Sequence, residues 1–172
     1  MSRPTTEECA EFYRYYIGLV EGEDATALPA LYQARIKGFF NTLPEERGSF
    51  AYAPDKWTLK QVIQHLLDVE RIFVYRLLWI VRGGQGSLPG FDENQFAMKG
   101  TATNRLLQDL CEEWLALRES TDRLIVHLDS TALQQKGMAN NSLISVKALS
   151  YIIYGHVLHH MSVIKERYLL PG

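Results

Sequence analysis

Three of the chain's five histidines, His156, His159 and His160, fall within five residues of one another in the stretch YIIYGHVLHHMSVIKERYL. Neutral imidazole offers one lone pair to a cation, so two histidines one helical turn apart can grip a single ion. Residues four apart on a helix differ by about 40° around its axis, which puts His156 and His160 on one face. Leu149, Ile152, Ile153, Val163 and Ile164 share that face, so both rings are expected to point toward the core. His159 falls to the flank beside Glu166 and is expected to be peripheral, or to support a ligand from behind. An HxxxH pair is not specific by itself: the alternative is that the rings sit at a polar edge and only form hydrogen bonds.

His65, in LKQVIQHLLDVERIF, shifts that balance. It lies on the apolar stripe of Val62, Val69 and Ile72, and it stands seven residues from the start of its helix, as His160 stands eight from the end of the last one. In antiparallel neighbours those two levels coincide. Three buried imidazoles without a shared ligand would leave polar atoms unpaired, at roughly 1–3 kcal/mol each. A divalent cation on His65, His156 and His160 satisfies all three, and three protein ligands leave positions open, the pattern of a catalytic site. His127 has no helical partner and reads as a surface or capping residue.

Acid–base candidates are fewer. Position 157 is Val, so the HExxH glutamate of metalloproteases is absent. Asp68 follows His65 by one turn and could act in catalysis, orient a ligand histidine, or be solvated. Asp92, in PGFDEN, could act in catalysis or equally cap a turn. Arg71, Arg76 and Arg118 could neutralise an acidic substrate, with surface ion pairs as their default. Phe73, Trp79 and Trp114 read as core. The aromatic run FYRYY reads as packing or a dimer surface before a recognition site.

The elements that must position these groups are helical nearly throughout. Thr5 and Glu8 offer a capping-box start to a short leading helix ending near Gly22, and a second helix runs from about Thr26 to Asn41. The third has Thr58 as N-cap, Gln61 completing a capping box and Trp57 placed against Val62; it ends at Gly83-Gly84. A polar connector of about twenty residues, GGQGSLPGFDENQFAMKGTA, precedes a fourth helix with Thr103 as cap. The last begins after Ser145, with Ile144 and Leu149 as its staple, and reaches about Tyr168. No stretch alternates convincingly enough for a sheet, and there is no internal repeat.

These helices predict an all-α, single-domain chain over 1–172: a leading segment, 1–25, and a four-helix bundle, 26–169. A helix of about 25 residues is about 37 Å long, a span that the connector can cover. One crossover is therefore expected, in up-down-down-up order, with the third and last helices antiparallel.

The chain's 172 residues are 47% hydrophobic and 22% charged with a formal charge of −2, which gives no electrostatic case for nucleic acid. Cys9 and Cys111 are isolated: they could form one disulfide, but two reduced thiols are the simpler reading. No apolar run suits a membrane span, and the N-terminus lacks the apolar core of a signal peptide, so a cytoplasmic location is expected.

Three segments carry a family resemblance. KWTLKQVIQHLLDVERIFVYRLLWIVRG resembles the Trp-led second helix of the DinB/YfiT-like superfamily of metal-binding bundles. LPGFDENQF is similar to its crossover, and SVKALSYIIYGHVLHHMSVIKERYL to its final HxxxH helix. The resemblance implies a four-helix bundle with one crossover, His65, His156 and His160 as ligands, zinc or nickel as the ion, and a homodimer. It also implies an enzyme acting on a small molecule, first a thiol-dependent S-transferase with a low-molecular-weight thiol as cosubstrate. The chemistry agrees, since a metal-bound thiol is deprotonated. The alternatives are a hydrolase using metal-activated water and a non-catalytic, stress-related metal-binding protein.

Overall fold

The structure, a computed structural model, describes residues 2–170. Seven α-helices form among them: α1 (Glu11–Gly18), α2 (Leu28–Asn41), α3 (Leu59–Val81), α4 (Glu93–Lys99), α5 (Leu107–Val126), α6 (Ser130–Gln134) and α7 (Val146–Val163), the last continued by a π-helical turn, Ile164–Leu169. No helix among them is long and apolar enough to cross a membrane.

Helices α2, α3, α5 and α7 make the bundle. The starts of α3 and α5 both lie against the turn at residues 45–48, where Lys60 N–H donates to the Gly48 carbonyl and Leu107 N–H to Glu45. Farther along, Glu70 pairs with Arg118, so α3 and α5 run parallel. Phe40, late in α2, stacks on Trp114, early in α5, and Pro29 shares a groove with Val126, so these two are antiparallel. Tyr168, beyond α7, donates to the carbonyl of Trp57, just before α3, and α3 and α7 are antiparallel as well. The order is up-down-down-up.

Thr58 forms the full capping box with Gln61, and Ser145 caps α7. Two other caps differ from expectation. The Thr5–Glu8 pair closes a turn instead of opening a helix, because the buried Glu8 is held by Ser145 Oγ at 2.6 Å and Lys147 Nζ at 3.0 Å. Thr103 lies in a 3-10 turn, and the free N–H groups of Leu107 and Gln108 are taken by the carboxylate of Glu45, each at 2.9 Å.

A small sheet is a further difference. Strands β1 (Ser87–Leu88), β2 (Lys136–Ala139) and β3 (Ser142–Ser145) pair in that order, β1 parallel to β2 and β2 antiparallel to β3. The β2–β3 hairpin turns on Asn140 and Asn141, both at positive φ, the signature of a tight turn that asparagine tolerates. Four-residue strands are too short to show an alternation, and the two-residue β1 exists only because β2 is there to pair with. The sheet ties the start of the crossover to the segment that feeds α7.

Candidate metal centre

His65 projects from α3 and His156 and His160 from α7, and antiparallel packing brings them to one level. His156 Nε2 lies 3.1 Å from His65 Nε2 and 3.1 Å from His160 Nε2. The three possible ligand atoms all fall within 4.8 Å of one another. His65 and His156 are buried and His160 is half-buried.

Proton counting shows what such a cluster is suited to. A neutral ring nitrogen carries either one proton or one lone pair. His156 Nε2 faces two neighbours and can offer only one of these, so protons alone leave the cluster short of full hydrogen bonds. A single cation accepts all three lone pairs. Two histidines held tetrahedrally at zinc distances of about 2.0–2.1 Å would have nitrogens roughly 3.3 Å apart, close to the separation found. The residues fit a divalent ion.

Electrostatics keep the rings in the ligating state. Burial, then repulsion from His159, lowers the pKa of His65 to about 4. Burial, followed by mutual repulsion within the cluster, holds His156 and His160 well below the ordinary range. All three are neutral at physiological pH. His160 Nδ1 has no partner among the described residues, so this ring's polar contacts lie on its Nε2 side.

The cluster opens on a pocket of about 160 Å³ with aromatic walls. Trp57 lies with its ring centroid 5.0 Å from that of His65, and Phe73 lies 5.9 Å from His156. Tyr16 of α1 meets His156 edge-on at 5.6 Å. Phe12, Tyr13 and Phe91 add to the aromatic part of the wall, and Val69 and His159 also line it. Helix α1 can come this close because residue 155 is Gly: a Cβ there would stand 2.0 Å from the Tyr16 carbonyl oxygen. Part of FYRYY thus lines the pocket. Its aromatic density was the available signal, but nothing in the local sequence says which helix it will cover.

His159 stays outside the cluster, with Nδ1 3.2 Å from the Tyr15 hydroxyl. Asp68 is half-buried and accepts from Gln64 Nε2 at 2.9 Å, not from a ligand ring; burial raises its pKa. Asp92 is exposed and caps α4 through the N–H groups of Asn94 and Gln95. The next residue, Glu93, lines the pocket and was not anticipated. Arg71 pairs with Glu113 at the surface, as expected. Arg76 and Arg118 are not surface residues: each is 3% exposed. Arg118 bonds Glu70 at 2.5 Å and lies over the Trp114 and Tyr154 rings, while Tyr154 donates to Asp122 at 2.6 Å. Cys9 and Cys111 are buried free thiols, and burial pushes Cys111 up to about 12.

Fold and site together define a four-helix bundle protein with a potential three-histidine metal centre. The chain belongs to the DinB superfamily, which it matches over residues 31–164. Among curated proteins none matches it in sequence. Among solved structures it is similar to YfiT from Bacillus subtilis, described as a probable metal-dependent hydrolase with an unusual four-helix bundle topology. That likeness covers 96% of this chain and 91% of YfiT, with a TM-score of 0.52 and 17% identity, and it speaks for the fold.

Proposed function

We propose that the chain is a metal-dependent enzyme that activates a small nucleophile for attack on a small-molecule substrate, first as a hydrolase. The carrying observation is the cluster itself: three neutral histidines converge within 4.8 Å beside a pocket, and no fourth protein ligand joins them among the described residues. Zinc and nickel both suit imidazole. A divalent cation held there supplies Lewis acidity, making water or a thiol a nucleophile at neutral pH. The chain's residues do the rest. Neutral His65, His156 and His160 leave the ion's charge unquenched, so an anionic partner is favoured. Trp57, Phe73 and Tyr16 shield the cluster from bulk water, and Glu93, which lines the same pocket, is the carboxylate available there to take up a proton.

Hydrolysis ranks first because it needs no cosubstrate and YfiT is described in the same terms. Thiol-dependent S-transfer is the second reading. Buried Cys9 and Cys111 line no part of the pocket's wall, so that reaction would draw on a low-molecular-weight thiol from outside. A homodimer is proposed on the family resemblance and is read by sedimentation equilibrium.

Metal analysis of untagged protein tests the reading. About one divalent ion per chain is expected, and its loss in His156→Ala. Assays of the loaded protein on small esters, amides and thiol–electrophile pairs then separate hydrolysis from transfer. Equal metal in the variant and the parent would end the proposal, and metal without turnover would favour a binding role.

A further inference from the structure

Arg76 is 3% exposed, yet none of the ion pairs among the described residues includes it. Its hydrogen bond runs from Nη2 to the Pro89 carbonyl oxygen, at 2.8 Å. Buried guanidinium groups ordinarily face a carboxylate, since desolvating an unpaired charge is unfavourable. Arg76 lines a second cavity, of about 360 Å³, between α3 and the crossover. Its walls are mainly apolar, built from Ile72, Tyr75, Leu88, Phe91 and Phe96. Arg71 also borders it, but Glu113 already holds that charge.

Two residues join this groove to the histidine pocket. Phe91 lines both. Phe73 has its ring 5.9 Å from that of His156, and Arg76 Cζ lies 5.8 Å from the centre of the same ring. One aromatic ring therefore separates the guanidinium from the cluster. We propose that the groove binds an amphipathic small acid: its carboxylate pairs with Arg76, and its acyl or aryl body lies across Tyr75, Leu88 and Phe96. Its far end passes Phe91 to reach His65, His156 and His160. A lone guanidinium with part of its fork engaged on Pro89 suits a carboxylate better than a dianionic phosphate. Only the last contact rests on the metal reading, where it names the substrate class.

Calorimetry with octanoate and its neutral isostere octanamide tests the groove on zinc-loaded and chelator-stripped full-length protein. Octanoate is expected to bind about tenfold tighter than octanamide in both states, the scale of one charge-assisted hydrogen bond. Arg76→Met should abolish that preference and Arg76→Lys keep most of it. Tyr75→Ala, on the exposed rim, should weaken both probes and serves if Arg76→Met does not fold. Equal affinities for the two probes, or a preference that survives Arg76→Met, would overturn the proposal.

Suberic monohydroxamate, a carboxylate joined by an apolar chain to a metal-binding head, tests the reach to the histidines. It should bind zinc-loaded protein at least tenfold tighter than octanoate and lose that gain on stripping. If zinc is held but there is no gain, the link between the pockets is refuted. If no zinc is held while the octanoate preference depends on Arg76, the groove stands and the metal reading fails. If zinc is held and acetohydroxamate binds but octanoate shows no preference, the groove fails alone.

Discussion

Nε2 of His65 and Nε2 of His156 lie 3.1 Å apart across 91 positions of sequence. Neither ring can fully satisfy the other, because His160 contacts the same His156 nitrogen. If one ion links them, it also links α3 to α7. Zinc at 100 times its Kd should stabilise the native chain by about 2.7 kcal/mol. The Tm should rise with zinc and fall with chelator, and His156→Ala should show neither shift in a thermal melt.

Gly155 lets α1 approach α7 at backbone contact. In Gly155→Ala the new methyl would stand 2.0 Å from the Tyr16 carbonyl oxygen, and backbone cannot yield as a side chain can. A loss of roughly 1–3 kcal/mol is expected from urea titration. Amide hydrogen exchange in α1 should speed up as α1 lifts from the histidine pocket.

The Glu70–Arg118 pair is buried on both sides, at 3% exposure each. Arg118→Met leaves the buried Glu70 carboxylate without its counter-ion and beside a second acid, Asp122, and should cost about 3–5 kcal/mol in chemical unfolding. Replacing both partners, Glu70→Leu with Arg118→Met, should recover much of that loss, because the Glu70 carboxylate is gone and Asp122 keeps its hydrogen bond from Tyr154. A double variant as weak as the single one would refute this account.

Glu8 ties the leading segment to the start of α7. Burial alone would raise its pKa, but hydrogen bonds from Ser145 Oγ, Thr5 N–H and Lys147 together outweigh burial and hold it below the usual value of 4.5. A depressed carboxyl contributes stability that is present above its unfolded pKa and disappears as pH falls through the folded one. Stability should therefore decline below about pH 4.5. Glu8→Gln should be weaker than the parent at pH 7 and should approach it at acid pH, as read by thermal melts across that range.

Glu45 caps a helix that begins 62 residues later. Glu45→Ala frees the N–H groups of Leu107 and Gln108 and should cost about 1 kcal/mol. Faster hydrogen exchange at the first turn of α5, with the rest of the helix unchanged, would localise the effect.

The helices whose signals are local can be read from the residues alone. The Thr58–Gln61 box and the Ser145 cap act within one turn, and the apolar stripes of α3 and α7 put His65, His156 and His160 on inward faces. The crossover followed from its length, since the chain had to travel back along a helix. Features that depend on partners distant in sequence emerge once the chain is packed. Glu8 has the composition of a capping box but is drawn to Ser145, and Glu45 serves a helix on another part of the chain. The strands pair only once the crossover and the α7 approach are side by side. Arg76 and Arg118 look like surface charges until bundle packing buries them. Periodicity tells which way a side chain points, whereas which atoms await it there is settled by the packing of helices far apart in the chain.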